Sequence, residues 1–221
     1  MKYPKAIADN IYEIEEIFSR WPSDVDVTLQ QVINWILQFD EPDFHIAIRV
    51  LRNVNVVGQR DIRQGLKVAY SKLSRKAIEK GAPVKSTNTL FTSLAGVGKS
   101  GAMISYHLRM ATDISEENFL SDDTLPFVKR GDIANLVFVD DVISTGRQAS
   151  KAINETAEKM LLLGVQNMFV LTVCGMREGL DRIQEETKAY TFSAFEYGLL
   201  DVNRRPKFTP YRRPILTPHM L

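Results

Sequence analysis

The chain reads as an α/β protein in which a parallel sheet carries helices on both faces, with an all-helical module ahead of it. Three observations predict this. After Gly81, strand-type and helix-type runs alternate along the sequence. The middle strand runs, Leu136 to Val139 and Asn167 to Cys174, are apolar nearly throughout instead of alternating, as strands covered on both faces must be. Before Gly81, apolar residues recur at helical spacing. The pattern divides the chain into a helical module at 1–81, an α/β domain at 82–203 and a tail at 204–221.

In the leader, Ile7, Ile11, Ile14, Phe18 and Trp21 step by three and four, which predicts one helical stripe that Pro22 ends. Thr28 followed by Gln31 reads as a capping box opening a second helix, with Val32, Trp35, Ile36 and Phe39 inward. Pro42-Asp43 opens a third apolar stretch through Phe44, Ile46, Ile48, Val50 and Leu51. Gln59 to Lys80 forms a longer, strongly charged helix with Ile62, Leu66, Ala69, Leu73 and Ala77 inward. Three or four such helices make a small bundle or a winged-helix-like module, and a scaffolding layer without chemistry is its plainest role.

In the second region Thr89 to Ser93 is a short strand, followed by a glycine-rich loop and a helix from about Ser100 to Met110. Asp113 to Asp132 is acidic and irregular, an insertion or flap. Leu136 to Val139 leads through a polar loop into a long helix reaching Leu163, with Gly164 as its C-terminal cap. Strand Asn167 to Cys174, helix Arg177 to Lys188 and strand Tyr190 to Phe195 complete the domain. The tail carries Arg204, Arg205, Lys207, Arg212 and Arg213, no acid, and Pro206, Pro210, Pro214 and Pro218. Such a segment is extended. A solvated terminus, an arm docking a protein partner, and a contact to nucleic acid backbone are its three readings.

Composition narrows the classes. Hydrophobic residues make up 44% of the 221, ample for a core. The apolar runs reach about a third of the ~20 residues a bilayer needs, so no membrane segment is expected. Met1 to Asn10 lacks the apolar block of a secretory signal, which makes a cytoplasmic location the default. Cys174 stands alone, which excludes an intramolecular disulfide. With 28 basic and 27 acidic residues, no field covers the whole surface. His45, His107 and His219 are scattered and read as surface or packing residues, Cys174 as a small buried hydrophobe, and Asp122-Asp123 as solvated.

The sharpest segment is Leu136-Val137-Phe138-Val139-Asp140-Asp141-Val142-Ile143-Ser144-Thr145-Gly146-Arg147-Gln148. A buried strand ends in two carboxylates, passes through Ser, Thr and Gly, and enters a helix. Ligands of open parallel sheets bind beyond the carboxyl ends of the strands. Hydroxyls and free backbone N–H groups at the positive end of a helix dipole seat a phosphate. Adjacent carboxylates accept hydrogen bonds from sugar hydroxyls or hold a hydrated magnesium ion. Together these describe a site for a ribose 5-phosphate group.

This segment resembles the signature loop of type I phosphoribosyltransferases. The resemblance covers roughly residues 85–200. It implies that Asp140 and Asp141 hold the ribose hydroxyls, with any metal (Mg2+) contacted indirectly through ligand or water. It further implies that Ser144, Thr145, Gly146, Arg147 and Gln148 form the 5-phosphate loop. Two positions depart from the family pattern: Gln148 stands where Thr is common, and Ser144 where an acid or Thr is common. Ser93 to Gly101 is a second strand-loop-helix junction, and the resemblance makes it the pyrophosphate loop, with Gly96, Gly98, Lys99 and Ser100 facing the leaving group. A degenerate P-loop is the rival reading there, since Gly-Lys-Ser fits a Walker A end while Ser93 stands where its first glycine belongs. The insertion at 113–132 occupies the place of the family's lid.

The helical leader and the Gly-x-Gln ending are similar to phosphoribosyltransferase-like proteins of bacterial conflict and antiphage systems, retron cassettes among them. That narrower resemblance implies a nucleotide-acting effector held by a protein partner through the helical module or tail, and enzymes of this fold often form homodimers. Two function classes stand open: a magnesium-dependent transferase acting at ribose C1, and a non-catalytic sensor that binds phosphoribosyl pyrophosphate or a nucleotide. The sequence does not name the acceptor.

Overall fold

The structure, a computed structural model, describes residues 3–94, 101–112, 114–120 and 128–198, without the side chains of 101 and 102. The glycine-rich loop with Gly96, Gly98, Lys99 and Ser100, the Asp122-Asp123 pair, His219 and the basic tail lie outside the described residues.

The leader's first stripe is two helices, α1 (Lys5–Asp9) and α2 (Ile11–Ser19), where one was expected. Asn10 separates them. Its side-chain amide donates to the Ala6 carbonyl at 2.8 Å, the local competition with helical bonding that short amides offer. Helix α3 (Leu29–Ile36) starts on the expected capping box, with the Thr28 hydroxyl accepting from the Gln31 N–H and the Gln31 side chain accepting from the Thr28 N–H. It stops before Phe39, which is exposed, not inward as its spacing suggested. Helix α4 (Phe44–Asn53) buries Phe44, Ala47, Ile48 and Leu51, while Ile46 and Val50 face outward. These helices close around Ile7, Ile14, Ile17, Val32, Ile33, Ile36, Phe44 and Leu51.

Helix α5 (Gln59–Glu79) packs elsewhere. Leu66, Ala69, Leu73 and Ala77 are fully buried, and they lie against one face of the sheet. That sheet is all parallel, in the order β1 (Thr89–Ser93), β2 (Asn135–Ile143), β3 (Asn167–Met176), β4 (Ala189–Tyr197). Helix α6 (Gly101–Thr112) joins α5 on the same face through Ile104 and Leu108, over Val137, Val139, Phe169 and Leu171. Helices α7 (Arg147–Leu162) and α8 (Arg177–Glu186) cover the other face, where Ile153, Met160, Leu180 and Ile183 meet Leu136, Phe138, Met168 and Val170. Helices lie on both faces, as the unbroken apolar strands predict. Gly164, at φ 94°, follows α7 as its expected cap.

Two details fix register and topology. Asn135 and Asn167 are paired across β2 and β3, and Asn167 donates to the Asn135 side chain at 3.0 Å while Asn135 donates to the Ala82 carbonyl at 3.0 Å. Slipping either strand by one residue would leave buried amides unpaired. On the outer side of β1, Phe119 bridges Phe91 in the parallel sense, and Leu120 N–H donates to the Phe91 carbonyl at 2.7 Å. This part of the acidic insertion is therefore anchored to the sheet edge, with Asn118 buried and bonded to the Ser86 and Thr89 carbonyls. The chain thus goes from β1 through α6 to β1's outer edge, then crosses to β2 on the inner side. Strand progression reverses at β1, which makes the gap between the carboxyl ends of β1 and β2 the topological switch point.

Candidate functional site

Strand β2 is longer than its apolar run. It continues through the acid pair to Ile143, with Asp140 in register with Thr172, Val142 with Cys174 and Ile143 with Gly175. The acids, expected at the strand's end, are followed by two further strand residues, and only Ser144, Thr145 and Gly146 separate β2 from α7. The pairing with β3 supplies the backbone order that two aspartates would not take by propensity.

The acids are tightly bonded into this edge. Asp140 Oδ1 accepts from the Asp141 N–H at 2.9 Å, and Asp141 Oδ1 accepts from the Val142 N–H at 2.8 Å. The Thr172 hydroxyl holds the Asp141 carbonyl at 3.1 Å. Burial, reinforced by the neighbouring Asp141 carboxylate, pushes the Asp140 carboxyl up from its usual 3.8 to about 6. Among the described residues no lysine, arginine or histidine sits within ion-pair distance of either acid. Two acceptor groups, one of them strained towards protonation, gain most from a ligand's hydroxyls or a cation.

Past the acids, Gly146 takes φ 74° and serves as the N-terminal cap residue of α7, a 16-residue helix. The first intrahelical bond, Ser150 N–H to the Gly146 carbonyl, leaves the N–H groups of Arg147, Gln148 and Ala149 pointing out of the helix start. Ser144, Thr145, Arg147 and Gln148 are exposed and Gly146 is buried. Of the five residues expected in the phosphate loop, three form the turn and Arg147 and Gln148 form the first turn of α7. Exposed hydroxyls, free N–H groups and a positive dipole end converge here, an anion seat beside two carboxylates.

Three neighbours were not assigned to the site from the sequence. Thr172 supports Asp141, as above. Cys174 lies beside Val142 on the next strand, and burial together with the Asp141 charge pushes its thiol up to about 11, so it stays protonated. Gly179, in the first turn of α8, presses against the Ser144–Gly146 turn. A glycine in a helical run was the one available signal for it. Neither described histidine is placed at this site: His45 is exposed and its Nδ1 is 2.7 Å from the Pro42 carbonyl, and His107 is buried in α6.

A group of three or more histidine, cysteine, aspartate or glutamate side chains does not occur among the described residues. A magnesium ion fits this edge in the other manner, held by one or two carboxylates and completed by ligand and water oxygens. Two surface concavities, of about 390 and 500 Å3, lie on the leader, and Glu13 and Arg52, which line both, neutralise one another as an ion pair. Among the described residues no helix is long and apolar enough to cross a membrane.

A parallel sheet covered on both faces, with an acid pair running into a Ser-Thr-Gly turn at its switch point, defines a type I phosphoribosyltransferase-like protein. The chain belongs to the PRTase-CE family, whose model matches residues 32–210, from α3 of the leader into the tail. Solved structures similar to it include a hypothetical protein from Neisseria gonorrhoeae with bound ppGpp, 16% identical over 63% of this chain and 80% of that one, TM-score 0.40. A hypoxanthine-guanine phosphoribosyltransferase from Schistosoma mansoni in complex with IMP is 14% identical over 65% of this chain and 67% of that one, TM-score 0.41. Orotate phosphoribosyltransferase from Aeropyrum pernix is 17% identical, TM-score 0.33, over 48% of this chain, which spans 58% of that enzyme. No curated protein matches the chain.

Proposed function

We propose that the carboxyl edge of β2 binds a ribose 5-phosphate ligand, either phosphoribosyl pyrophosphate or a nucleotide, together with Mg2+. The observation that carries this reading is the uninterrupted passage from the Asp140-Asp141 pair through a three-residue turn onto the N-terminus of α7. Asp140 and Asp141 accept the ribose hydroxyls. Ser144, Thr145 and the N–H groups of Gly146, Arg147 and Gln148 take the 5-phosphate, with the Arg147 guanidinium adding charge. Gly96, Gly98, Lys99 and Ser100 take the pyrophosphate.

In the transferase reading, an acceptor attacks C1 of the ribose, the C1–O bond to pyrophosphate breaks, and the acceptor gives up a proton as its bond to C1 forms. Positive charge develops on the sugar in such a displacement. The carboxylates at 140 and 141 hold the ring and stabilise that charge, while the phosphate turn fixes its far end. Bound magnesium supplies charge neutralisation on the departing pyrophosphate. Gln148 and Ser144 favour a second reading, a non-catalytic sensor using the same contacts, because Gln148 lacks the hydroxyl of the family pattern and Ser144, which keeps one, is a poor general base. In both readings the helical leader and the Gly-x-Gln ending support a nucleotide-acting effector role in antiphage defence, with the leader or tail contacting a protein partner.

Calorimetry with phosphoribosyl pyrophosphate, with and without magnesium and beside ATP, tests the site. Magnesium-dependent micromolar binding is expected, with complete loss in an Asp140→Asn/Asp141→Asn variant. Binding of ATP alone would replace the ribosyl-phosphate reading with the P-loop one. Release of pyrophosphate on adding candidate acceptors separates the enzyme from the sensor.

A further inference from the structure

Gly179 is the third residue of α8, and its backbone is ordinary right-handed helix. In that position alanine is preferred to glycine by about 1 kcal/mol, so helix formation gives no reason for glycine. The reason lies across the gap. A Cβ on Gly179 would sit 2.0 Å from the Ser144 carbonyl oxygen, 2.9 Å from its carbon and 3.1 Å from the Gly146 nitrogen. The contact is reciprocal, for a Cβ on Gly146 would sit 2.3 Å from the Gly179 carbonyl oxygen and 3.2 Å from its Cα. Both partners are backbone, which cannot swing aside as a side chain can. The first turn of α8 and the turn between β2 and α7 are therefore packed main chain to main chain, with no side chain between them.

Resting on the ribosyl-phosphate reading of the site, we infer that Gly179 is a positioning residue for the phosphate turn, and that α8 is the brace that sets where the turn's N–H groups point. Gly146 already holds a left-handed conformation, so the turn has few alternatives to begin with. Placing α8 directly against it leaves the turn no room to relax outward when no ligand is present. Preorganised N–H groups bind an anion without first paying ordering entropy, and displacing such groups by about 1 Å lowers binding or rate by up to ~100-fold. A methyl group at 179 demands at least that displacement, since heavy-atom contacts below 3.0 Å do not occur at real Cβ atoms.

Gly175 provides the control. A Cβ there would also meet close neighbours, at 2.7 and 2.9 Å, but all of them, Cγ and both Cδ atoms, belong to the Leu180 side chain and none is backbone. Gly175 lies in β3 but packs on Leu180 of α8, so a general disturbance of α8 affects both variants and a specific brace affects one.

The test uses the full chain with ribose 5-phosphate and with inorganic phosphate as probes, read by calorimetry and by amide chemical shifts. Gly179→Ala is expected to weaken ribose 5-phosphate binding ten- to a hundredfold and to shift the Ser144 to Ala149 amides before any ligand is added, while Gly175→Ala stays within about threefold of the parent. In the unmodified protein, titration is expected to move the Gly179 and Leu180 amides together with those of 145–149, a readout that holds even if Gly179→Ala does not fold. Equal binding by Gly179→Ala and the parent, or a Gly179 amide that stays still while the turn responds, would overturn the brace and leave the site intact. Failure of the parent to bind either probe would overturn the site reading and the brace with it.

Discussion

The leader and the sheet are built by different means, and the joint between them shows what each is for. The sheet is packed on both faces, so its strands are fixed by apolar contact from above and below as well as by their ladders. The leader has its own apolar cluster, formed by residues 7 to 51, which shares no buried member with either face of the sheet. Polar bonds cross between the two. The Asp24 carboxylate accepts the Arg60 N–H at the start of α5 at 2.7 Å, and the Asn55 amide donates to the Tyr197 hydroxyl at 2.6 Å. Apolar burial stabilises each body within itself, whereas the polar joint sets how they are oriented. Tyr197 ends β4, so one of these links lands on the carboxyl edge that carries the acid pair.

Core truncations should break the comparison open most widely. Phe169→Ala empties a fully buried position in β3 and is expected to cost about 3–5 kcal/mol, with loss of ligand binding. Ile36→Ala, equally buried in the leader, is expected to cost about 2–5 kcal/mol there, yet to leave phosphoribosyl pyrophosphate affinity within about twofold. Urea unfolding followed by tryptophan fluorescence, which reports Trp21 and Trp35 of the leader, separates the two events from far-UV dichroism of the whole chain. A single coincident transition and abolished binding in Ile36→Ala would show one cooperative body.

The acid edge makes a second, smaller difference that depends on pH. The folded Asp140 carboxyl, near 6, lies above its unfolded value of about 3.8, so the folded state binds more protons between those limits. Stability should therefore fall as pH rises from about 4 to 6 and remain lower above that. Asp140→Asn removes this penalty. It should raise the melting temperature at pH 7.5 relative to the parent and make no difference below pH 4, while losing ligand binding. A stabilisation that persists at pH 3.5 would mean the carboxyl's charge was not the cause.

How much was legible follows the same division. The Thr28–Gln31 cap, both ends of β1, the start of β3 and the Gly164 cap depend on a few neighbouring residues, and local pattern reveals them, whereas β3 runs on past Cys174 to Met176. The placement of the acid pair beside the Ser-Thr-Gly turn and the start of α7 is legible because these residues are contiguous in sequence. What pattern misses is decided by partners distant in the chain. Strand β2 runs on through Asp140 and Asp141 only because β3 pairs with it there, Thr172 opposite Asp140 and Cys174 opposite Val142. Helix α5 has the charge pattern of the leader but is buried against β3 and β4, and nothing in its own period says which body it covers. Ile46 and Val50 look inward in a run of apolar residues, while the 3.6-residue period admits only Phe44, Ala47, Ile48 and Leu51. Phe119, in a stretch too short and acidic to read as sheet, locates the switch point by touching Phe91.

The finest test bears on the joint itself. Burial pushes the Tyr197 phenol above its usual range, with the nearby Cys174 adding to the shift, so the group stays a neutral hydroxyl throughout the working range and its bond from Asn55 does not titrate. Tyr197→Phe removes the acceptor and leaves the Asn55 amide to water, which at a solvent-accessible position should cost less than about 1 kcal/mol and shift melting by no more than ~4 °C. If the joint only orients the leader, the variant should melt almost unchanged while hydrogen exchange quickens at residues 54–58 and stays constant in β2 and β3. Exchange that also quickens at Asp141 and Val142 would mean that the hydroxyl transmits the leader's position to the acid pair across the ends of β3 and β4. The leader would then be a regulator of the site, since a contact too weak to matter for folding can still bias two arrangements of nearly equal free energy.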